Sequence, residues 1–305
     1  MERRNFVKTA TLLGGAALTA SLTGEAFAGN LSNATQFKLK YAPGIDMFSA
    51  SVGSKDFAPN LQFIKDQGFR AVFDNDFPKR SKEDQDAIAN LLTKLGLEFG
   101  PYVLYADFSK ESMVLKDENI LKMLKERIEV AKEIKKRTGY FMTLMVPGRY
   151  RQNVAWDYQA ANVIDNLREL SAMAQTEGIV IVLEPLNLYD HPGLFLSGSP
   201  QAYMICRAVN SPGCKIIFDV YHQQITEGNI IPNLKRCWSE IGTMHCGDNP
   251  GRKEPTTGEI NYRGVFKFLH EKGYNGAICM EHGKSKPGKE GDQAVIDAYR
   301  FCDNF

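Results

Sequence analysis

The sequence carries almost no net charge. Its 305 residues include 37 basic and 36 acidic side chains, which leaves a formal net charge of +1 at pH 7. A strongly basic face is the electrostatic signature of proteins that bind nucleic acid or anionic membrane surfaces. We therefore expect neither nucleic acid nor a membrane as a partner.

Two common cofactor signatures are also missing. None of the six cysteines lies in a Cys-x-x-Cys pair, which argues against a zinc ribbon. No Gly-x-Gly-x-x-Gly follows the first predicted strand, which weakens the case for a dinucleotide-binding fold. We interpret the cysteines as buried free thiols, while a disulfide in an exported protein stays open. They are Cys206, Cys214, Cys237, Cys246, Cys279 and Cys302.

The first segment is typical of an export signal. Arg3 and Arg4 form a twin-arginine pattern, an apolar stretch rich in small residues follows, and Ala26-Phe27-Ala28 resembles a cleavage site. The stretch is too short and too rich in Gly and Ala for a membrane span. We expect residues 1–28 to be a twin-arginine signal peptide, which leaves 305 − 28 = 277 residues in the periplasm or outside the cell. The alternative is a basic N-terminus followed by a chance apolar helix.

From residue 38 onward, short apolar runs alternate with longer amphipathic runs. Short β-branched runs predict strands buried in a parallel sheet, and the amphipathic runs predict the helices that cover it. The runs make about eight strand–helix units, and about 250 residues is the usual length of an eight-unit α/β barrel. We therefore predict one α/β domain over 38–305, a single (β/α)8 TIM barrel. Its strands are predicted at 39–45, 70–74, 97–104, 140–146, 179–184, 214–219, a run ending near 246, and 276–281.

Four strands in the second half each end in a potential metal ligand. Glu184, Asp219, His245 and Glu281 are separated by 35, 26 and 36 residues (219 − 184, 245 − 219 and 281 − 245). A barrel of about 250 residues repeats every ~31 residues, so this spacing places one ligand on each of four successive strands at one rim. Three carboxylates and one imidazole suit Mn²⁺ or Mg²⁺, with Co²⁺ or Zn²⁺ as alternatives. Any one of these residues alone is more often a helix N-cap, a loop residue or a structural hydrogen bonder.

Two further polar side chains are predicted to face the same mouth. His222 follows Asp219 by three residues, and Arg252 lies just past His245. The fixed charge of an arginine can hold an oxyanion or a substrate oxygen. The alternatives are a solvent-facing histidine at a helix start and a loop salt bridge. Glu259 lies in the same polar loop, and two interpretations of it stay open: it supports the ligands, or it begins the next helix.

The motifs around these residues resemble the xylose-isomerase-like TIM-barrel superfamily, with the hydroxypyruvate isomerase family and the ketose 3-epimerases as the nearest patterns. The resemblance rests on EPLN, DVYHQQ, HCGDNPGRKEPTTGEINY and MEHG, which begin at or next to the four predicted ligands. It implies that Glu184, Asp219, His245 and Glu281 bind one divalent metal ion. It also implies that Glu184 and Glu281 are the catalytic acid/base pair and that His222 and Arg252 contact the substrate. His245 follows the epimerase pattern, since hydroxypyruvate isomerases usually carry glutamine there.

The resemblance implies a metal-dependent sugar isomerase or epimerase. Its substrate would be a small sugar or hydroxy-keto acid, in which the glutamates move a proton through an enediolate. The alternatives are a lyase or dehydratase on a keto-sugar or keto-inositol, a non-catalytic sugar-binding barrel, and an endonuclease IV-like phosphodiesterase. The last is disfavoured because such a three-zinc site needs more histidines than the five present. Assembly as a homo-oligomer stays open.

Overall fold

The structure is a computed structural model that describes residues 35–305, so the predicted signal peptide lies outside the described residues. Within this range, nine short strands alternate with helices along the chain. The strands are β1 (Lys40–Ala42), β2 (Ala71–Val72), β3 (Glu98–Phe99), β4 (Tyr102–Tyr105), β5 (Met142–Met145), β6 (Val180–Leu183), β7 (Cys214–Asp219), β8 (Ile241–Cys246) and β9 (Ala277–Met280).

The strands curl into a closed barrel. Seven of them form one parallel sheet in the order β1-β9-β8-β7-β6-β5-β4, and β2 pairs in parallel with β3. A bridge joins Gly44 to Phe73 beyond β1 and β2, and the N–H of Val103 in β4 donates to the carbonyl of Asn75 at 3.1 Å. Only two residues separate β3 from β4, so these two strands occupy one position of the barrel. Eight positions result, and the predicted single (β/α)8 TIM barrel is confirmed.

Helices follow the strands and pack outside them. They are α1 (Ser49–Val52), α2 (Phe57–Asp66), α3 (Lys82–Leu95), α4 (Glu118–Thr138), α5 (Trp156–Gln175), α6 (Ser199–Val209), α7 (Val220–Thr226), α8 (Ile230–Cys237), α9 (Tyr262–Glu271) and α10 (Gly288–Cys302). Ser81 caps α3, because its side chain accepts the N–H of Asp84 at 3.1 Å, and Gly96 ends this helix in a left-handed conformation. None of the described helices is both long and apolar enough to cross a membrane.

The predicted strand–helix units do not include helix α7. Strand β7 runs directly into it, and the signal at this boundary is Asp219 itself, for which a helix N-cap is the alternative interpretation. Its N-cap is Asp219, the last residue of β7, whose Oδ1 accepts the N–H of Tyr221 at 2.8 Å. This abrupt change brings the side chains of the first turn of α7 to the carboxyl end of the barrel.

All six cysteines are buried and none forms a disulfide in the described chain. Two of them approach each other, with 3.9 Å between the Sγ atoms of Cys206 and Cys214. The interpretation of the cysteines as buried free thiols is confirmed.

Candidate active site

The carboxyl ends of four neighbouring strands bring the four predicted ligands together. Glu184 and Glu281 directly follow β6 and β9, Asp219 ends β7, and His245 lies near the end of β8. Asp219 is in register with His245, so the two side chains leave adjacent strands at one level. One potential donor atom from each of the four side chains lies within 4.8 Å of the other three. Because the strands are parallel, the cluster opens at the rim where barrel active sites lie.

His245 lies at the centre of this cluster. Its Nδ1 is 3.2 Å from Glu184 Oε1 and 3.1 Å from Glu281 Oε2. Glu184, Asp219 and His245 are buried, whereas the side chain of Glu281 is 23% exposed and faces the mouth. Ionised carboxylates are costly to bury unless a cation pairs with them. The cluster therefore needs positive charge close by.

Burial and charge pull the pKa values of the two glutamates apart. Burial, followed by the charge of Glu281, raises the pKa of Glu184 to about 7. Burial acts in the same direction on Glu281, but His245, Arg252 and the Asn75 amide outweigh it and hold the Glu281 pKa below its ordinary value. Burial lowers the pKa of His245, but Glu281 and Glu184 outweigh it and raise that pKa well above its ordinary value. Carboxyl groups with separated pKa values are typical of acid/base sites.

The four side chains fit a divalent metal ion. One donor atom from each side chain lies within 4.8 Å of the others, and the three carboxyl groups outnumber the two cationic groups beside them, Arg252 and His245, which leaves negative charge for a metal ion to balance. His245 directs Nδ1 into the cluster, while its Nε2 is buried and has no hydrogen-bond partner among the described residues. Carboxylate oxygens with one imidazole nitrogen are ligands for Mn²⁺ or Mg²⁺ and also for Co²⁺ or Zn²⁺. The role of the four residues as ligands, and the metal itself, stay predictions.

Arg252 lies against the cluster. Its Nη2 donates to Asp219 Oδ2 at 2.9 Å and to Glu281 Oε2 at 2.7 Å. The backbone of Arg252 is left-handed, with φ of 48°. This conformation costs about 1–2 kcal/mol in residues other than glycine. The loop imposes it, since the Arg252 carbonyl accepts the N–H of Gly283 at 2.9 Å and the guanidinium lies 4.9 Å from the Tyr221 ring centroid. The loop after β8 thus delivers a fixed positive charge to two of the predicted ligands.

His222 lies on the first turn of α7, beside Asp219. It is fully buried, and its Nε2 is 3.6 Å from Asp219 Oδ2. Burial lowers the pKa of His222 to about 4, so the ring is neutral near pH 7. The alternative of a solvent-facing histidine is therefore wrong. Contact of His222 and Arg252 with a substrate stays a prediction.

Glu259 does not reach the four ligands. Its Oε1 accepts a hydrogen bond from Asn249 Nδ2 at 2.7 Å, and its backbone N–H donates to the Asn249 carbonyl at 2.7 Å. The residue therefore braces the loop that carries Arg252. It supports the site through the loop conformation and not through the ligands themselves.

Sequence reasoning missed two amide side chains at the site. Asn75 Nδ2 donates to Glu281 Oε1 at 2.6 Å, and Asn187 Nδ2 lies 2.7 Å from His222 Nδ1. Asn75 follows β2 and Asn187 follows β6, so both lie just past a strand end at the active rim. A search for amides as well as acids after each strand would have found them.

A cavity of about 480 Å³ opens beside Glu281. It lies between the loops after β1 and β9, and Asp46, Phe73 and Lys284 are among the residues that line it. Ligand pockets for small molecules have volumes of about 300–1,000 Å³. The cluster is therefore open on one side to a space that suits a small molecule.

A family profile covers most of the chain. The profile described as "Xylose isomerase-like TIM barrel" matches residues 61–304, which contain all the predicted site residues. The chain belongs to this family. The resemblance inferred from the motifs is thereby confirmed, and the barrel has the family fold.

Two curated isomerases are similar to this member of the family. The chain is 36% identical over 140 residues to hydroxypyruvate isomerase of Escherichia coli (strain K12), and the aligned segment covers 46% of this chain and 54% of the relative. It is also 36% identical over 122 residues to 2-oxo-tetronate isomerase of Cupriavidus necator, which covers 40% of this chain and 47% of the relative. The chain thus spans about half the length of these curated relatives.

A solved epimerase structure shares the fold of this family member. D-Psicose 3-epimerase from Clostridium cellulolyticum H10 superposes with a TM-score of 0.65 and 16% sequence identity, covering 81% of this chain and 92% of that chain. At this level of identity, the comparison shows the fold alone.

Proposed function

We propose that this protein is a divalent-metal-dependent isomerase or epimerase of a small sugar or hydroxy-keto acid that carries an α-hydroxycarbonyl group. The observation that carries the proposal is the pair Glu184 and Glu281, whose carboxylates lie 3.2 and 3.1 Å from one nitrogen of His245. Two carboxylates that face one small space can remove and return a proton. Similarity to isomerases of hydroxypyruvate and 2-oxo-tetronate supports the same class.

The metal ion would be held by the four residues of the cluster, Glu184, Asp219, His245 and Glu281. When bound, it supplies Lewis-acid activation of a carbonyl group. Mn²⁺ or Mg²⁺ suits the three carboxylates best, and Co²⁺ or Zn²⁺ is the alternative.

The two glutamates move the proton. One carboxylate removes the proton from the carbon that carries the hydroxyl group. The electron pair of the broken C–H bond forms the C=C bond of an enediolate, and the carbonyl oxygen takes up the negative charge. The other carboxyl group then returns a proton. Return to the former carbonyl carbon, with transfer of the hydroxyl proton between the oxygens, is isomerisation, whereas return to the original carbon on its opposite face is epimerisation.

Arg252 and His222 bind the substrate oxygens. The Arg252 side chain is 28% exposed, so its guanidinium meets both the cluster and the mouth. Burial opposes the charge of Arg252, but Asp219 and Glu281 outweigh it and raise the pKa of the guanidinium, so Arg252 stays charged. Donors fixed before the reaction stabilise the negative charge that develops on the substrate oxygen.

The first test measures bound metal in the purified protein by elemental mass spectrometry. We expect one divalent ion per chain, and we expect a Glu184→Gln, Asp219→Asn double variant to lose it. About three zinc ions per chain would instead favour a phosphodiesterase. Absence of metal after Mn²⁺ is supplied would overturn the metal site and, with it, the proposed enzyme.

The second test screens hydroxypyruvate, 2-oxo-tetronate and ketoses for conversion in heavy water. We expect an isomeric product that carries solvent deuterium, and we expect Glu281→Gln to abolish it. An exposed exchange of the same type, Glu83→Gln in the first turn of α3, is the matched control. Loss of water from the substrate would assign the site to a lyase, and wild-type turnover by Glu281→Gln would refute the proton-transfer scheme.

A further inference from the structure

Two donors from Asn187 converge on one nitrogen of His222. The backbone N–H of Asn187 donates to His222 Nδ1 at 3.3 Å, and Asn187 Nδ2 lies 2.7 Å from the same atom. A backbone N–H can only donate, so Nδ1 has to accept. The hydrogen bond from the backbone therefore places a lone pair, and not a proton, on Nδ1.

The amide of Asn187 has a fixed orientation. Its Oδ1 accepts the N–H groups of Tyr189 at 3.1 Å and Asp190 at 2.9 Å. Its Nδ2 donates to Asp190 Oδ2 at 3.0 Å, and the Tyr221 hydroxyl donates to that same oxygen at 2.8 Å. A flipped amide would turn Oδ1 toward the Asp190 carboxylate and Nδ2 toward two N–H groups. The amide therefore presents an N–H to His222.

Because Nδ1 accepts the backbone N–H, the ring proton lies on Nε2. This atom is buried and has no hydrogen-bond partner in the described part of the chain. Asp219 Oδ2 lies 3.6 Å away, which is too far for a hydrogen bond. A buried donor without an acceptor is destabilising, and such a group in a native fold calls for an explanation such as a bound ligand.

We propose that Asn187 is a positioning residue that keeps His222 in the Nε2–H tautomer, so that His222 donates a hydrogen bond to a substrate oxygen and does not act as a base. The nature of that oxygen, on an α-hydroxycarbonyl, rests on the proposed function. The tautomer rests only on the hydrogen bonds of Asn187. This division of roles leaves proton removal from carbon to the glutamates.

The test reads the tautomer directly by two-bond ¹H–¹⁵N correlation NMR of the histidine rings at neutral pH. The full chain is measured with Mg²⁺, which is diamagnetic, and again after chelation. A His222→Gln variant assigns the signals, since only those of His222 disappear. We expect Nδ1 to resonate as an unprotonated nitrogen and Nε2 as a protonated one.

A charge-neutral exchange of Asn187 and Asp190 tests this role by reversing the hydrogen bond to His222 Nδ1. In the double variant Asn187→Asp, Asp190→Asn, a carboxylate faces Nδ1 while the amide–carboxylate pair is kept. We expect the proton to move to Nδ1 and kcat to fall by about 100-fold, as for loss of one oxyanion donor, with metal content unchanged. Asn153→Asp, at an exposed position, makes the same chemical change away from the site and should leave the spectrum as in wild type.

The NMR and turnover results separate the two proposals. A wild-type ring protonated on Nδ1, or a tautomer that the exchange leaves unchanged, would overturn the role of Asn187. If the tautomers behave as expected but the wild type converts no α-hydroxycarbonyl, the positioning role of Asn187 is supported and the proposed function fails.

Discussion

Replacement of Asn75 by leucine tests how far Glu281 depends on its neighbour. Asn75 Nδ2 donates to Glu281 Oε1 at 2.6 Å. Asn75 Oδ1 is buried and makes no hydrogen bond within the described residues. The substitution therefore removes a single side-chain hydrogen bond and leaves no second hydrogen-bond partner unsatisfied. Leucine has the same branching as asparagine, with methyl groups in place of the amide atoms, and cannot donate. The variant thus isolates the contribution of a single hydrogen bond to the orientation and charge of Glu281.

The size of the effect follows from the charge and the exposure of the acceptor. A hydrogen bond to a charged group contributes about 1.5–3 kcal/mol, which is roughly 10- to 150-fold in an equilibrium constant. Glu281 is 23% exposed in its side chain, so water can replace part of the lost bond. We therefore expect the lower end, about a tenfold loss of Mn²⁺ affinity, together with a 10- to 100-fold loss of kcat/KM, which is typical for partners of metal ligands.

Isothermal titration with Mn²⁺ measures the affinity, and initial rates on the substrate found in the screen measure kcat/KM. Asn153→Leu, on the exposed surface, is the matched control and should behave as wild type. Thermal unfolding of the metal-free protein shows whether the variant is folded. A folded Asn75→Leu protein with affinity and kcat/KM within twofold of wild type would refute the view that the amide orients Glu281.

Four other predictions concern the metal, two helix caps and the N-terminus. Chelation of the metal should lower the free energy of unfolding by about 2.7 kcal/mol relative to protein at 100 times the metal Kd, measured by urea unfolding; equal stability would contradict the site. Ser81→Ala should destabilise the protein by about 1 kcal/mol, because it removes the cap of α3. Ala155→Ser should stabilise the protein, because Ala155 is the N-cap of α5, has backbone angles similar to those of Ser81 and makes no side-chain cap. The same urea measurement checks both substitutions. Equal free energies of unfolding for the two variants would contradict the capping argument. The exported protein should begin at Gly29 by intact-mass measurement; retention of residues 1–28 would contradict the signal peptide.

The strands and the four ligands could be predicted because they depend on local composition and on a regular repeat. A buried parallel strand has to be apolar on both faces, so the run at 179–183 stands out in the sequence. An isolated Glu184 at its end is costly to bury, and the barrel repeat converts four such residues into one cluster. The prediction needed no knowledge of side-chain conformation, because parallel strands bring their carboxyl ends to one rim.

The supporting contacts could not be predicted in the same way. Asn75 and Glu281 are 206 residues apart, and their contact depends on closure of the barrel between β1, β2 and β9. Arg252 contacts Asp219 from a left-handed backbone, and no glycine or asparagine at that position predicts such a conformation. Contacts of this kind arise from loop geometry, which neither periodicity nor composition encodes.

Asp219 shows why a structural and a functional interpretation of one residue need not compete. Its Oδ1 accepts the N–H groups of Tyr221 and His222 at 2.8 and 3.4 Å, so the residue is the N-cap that an acid after a strand most often is. Its Oδ2 accepts from Arg252 at 2.9 Å and faces the other ligands. The cap holds Oδ1 against the first turn of α7, which leaves Oδ2 to accept from Arg252. The same cap starts α7 at the rim, which brings His222 to within 3.6 Å of that oxygen. The helix cap is thus the structural element that positions two of the proposed functional side chains.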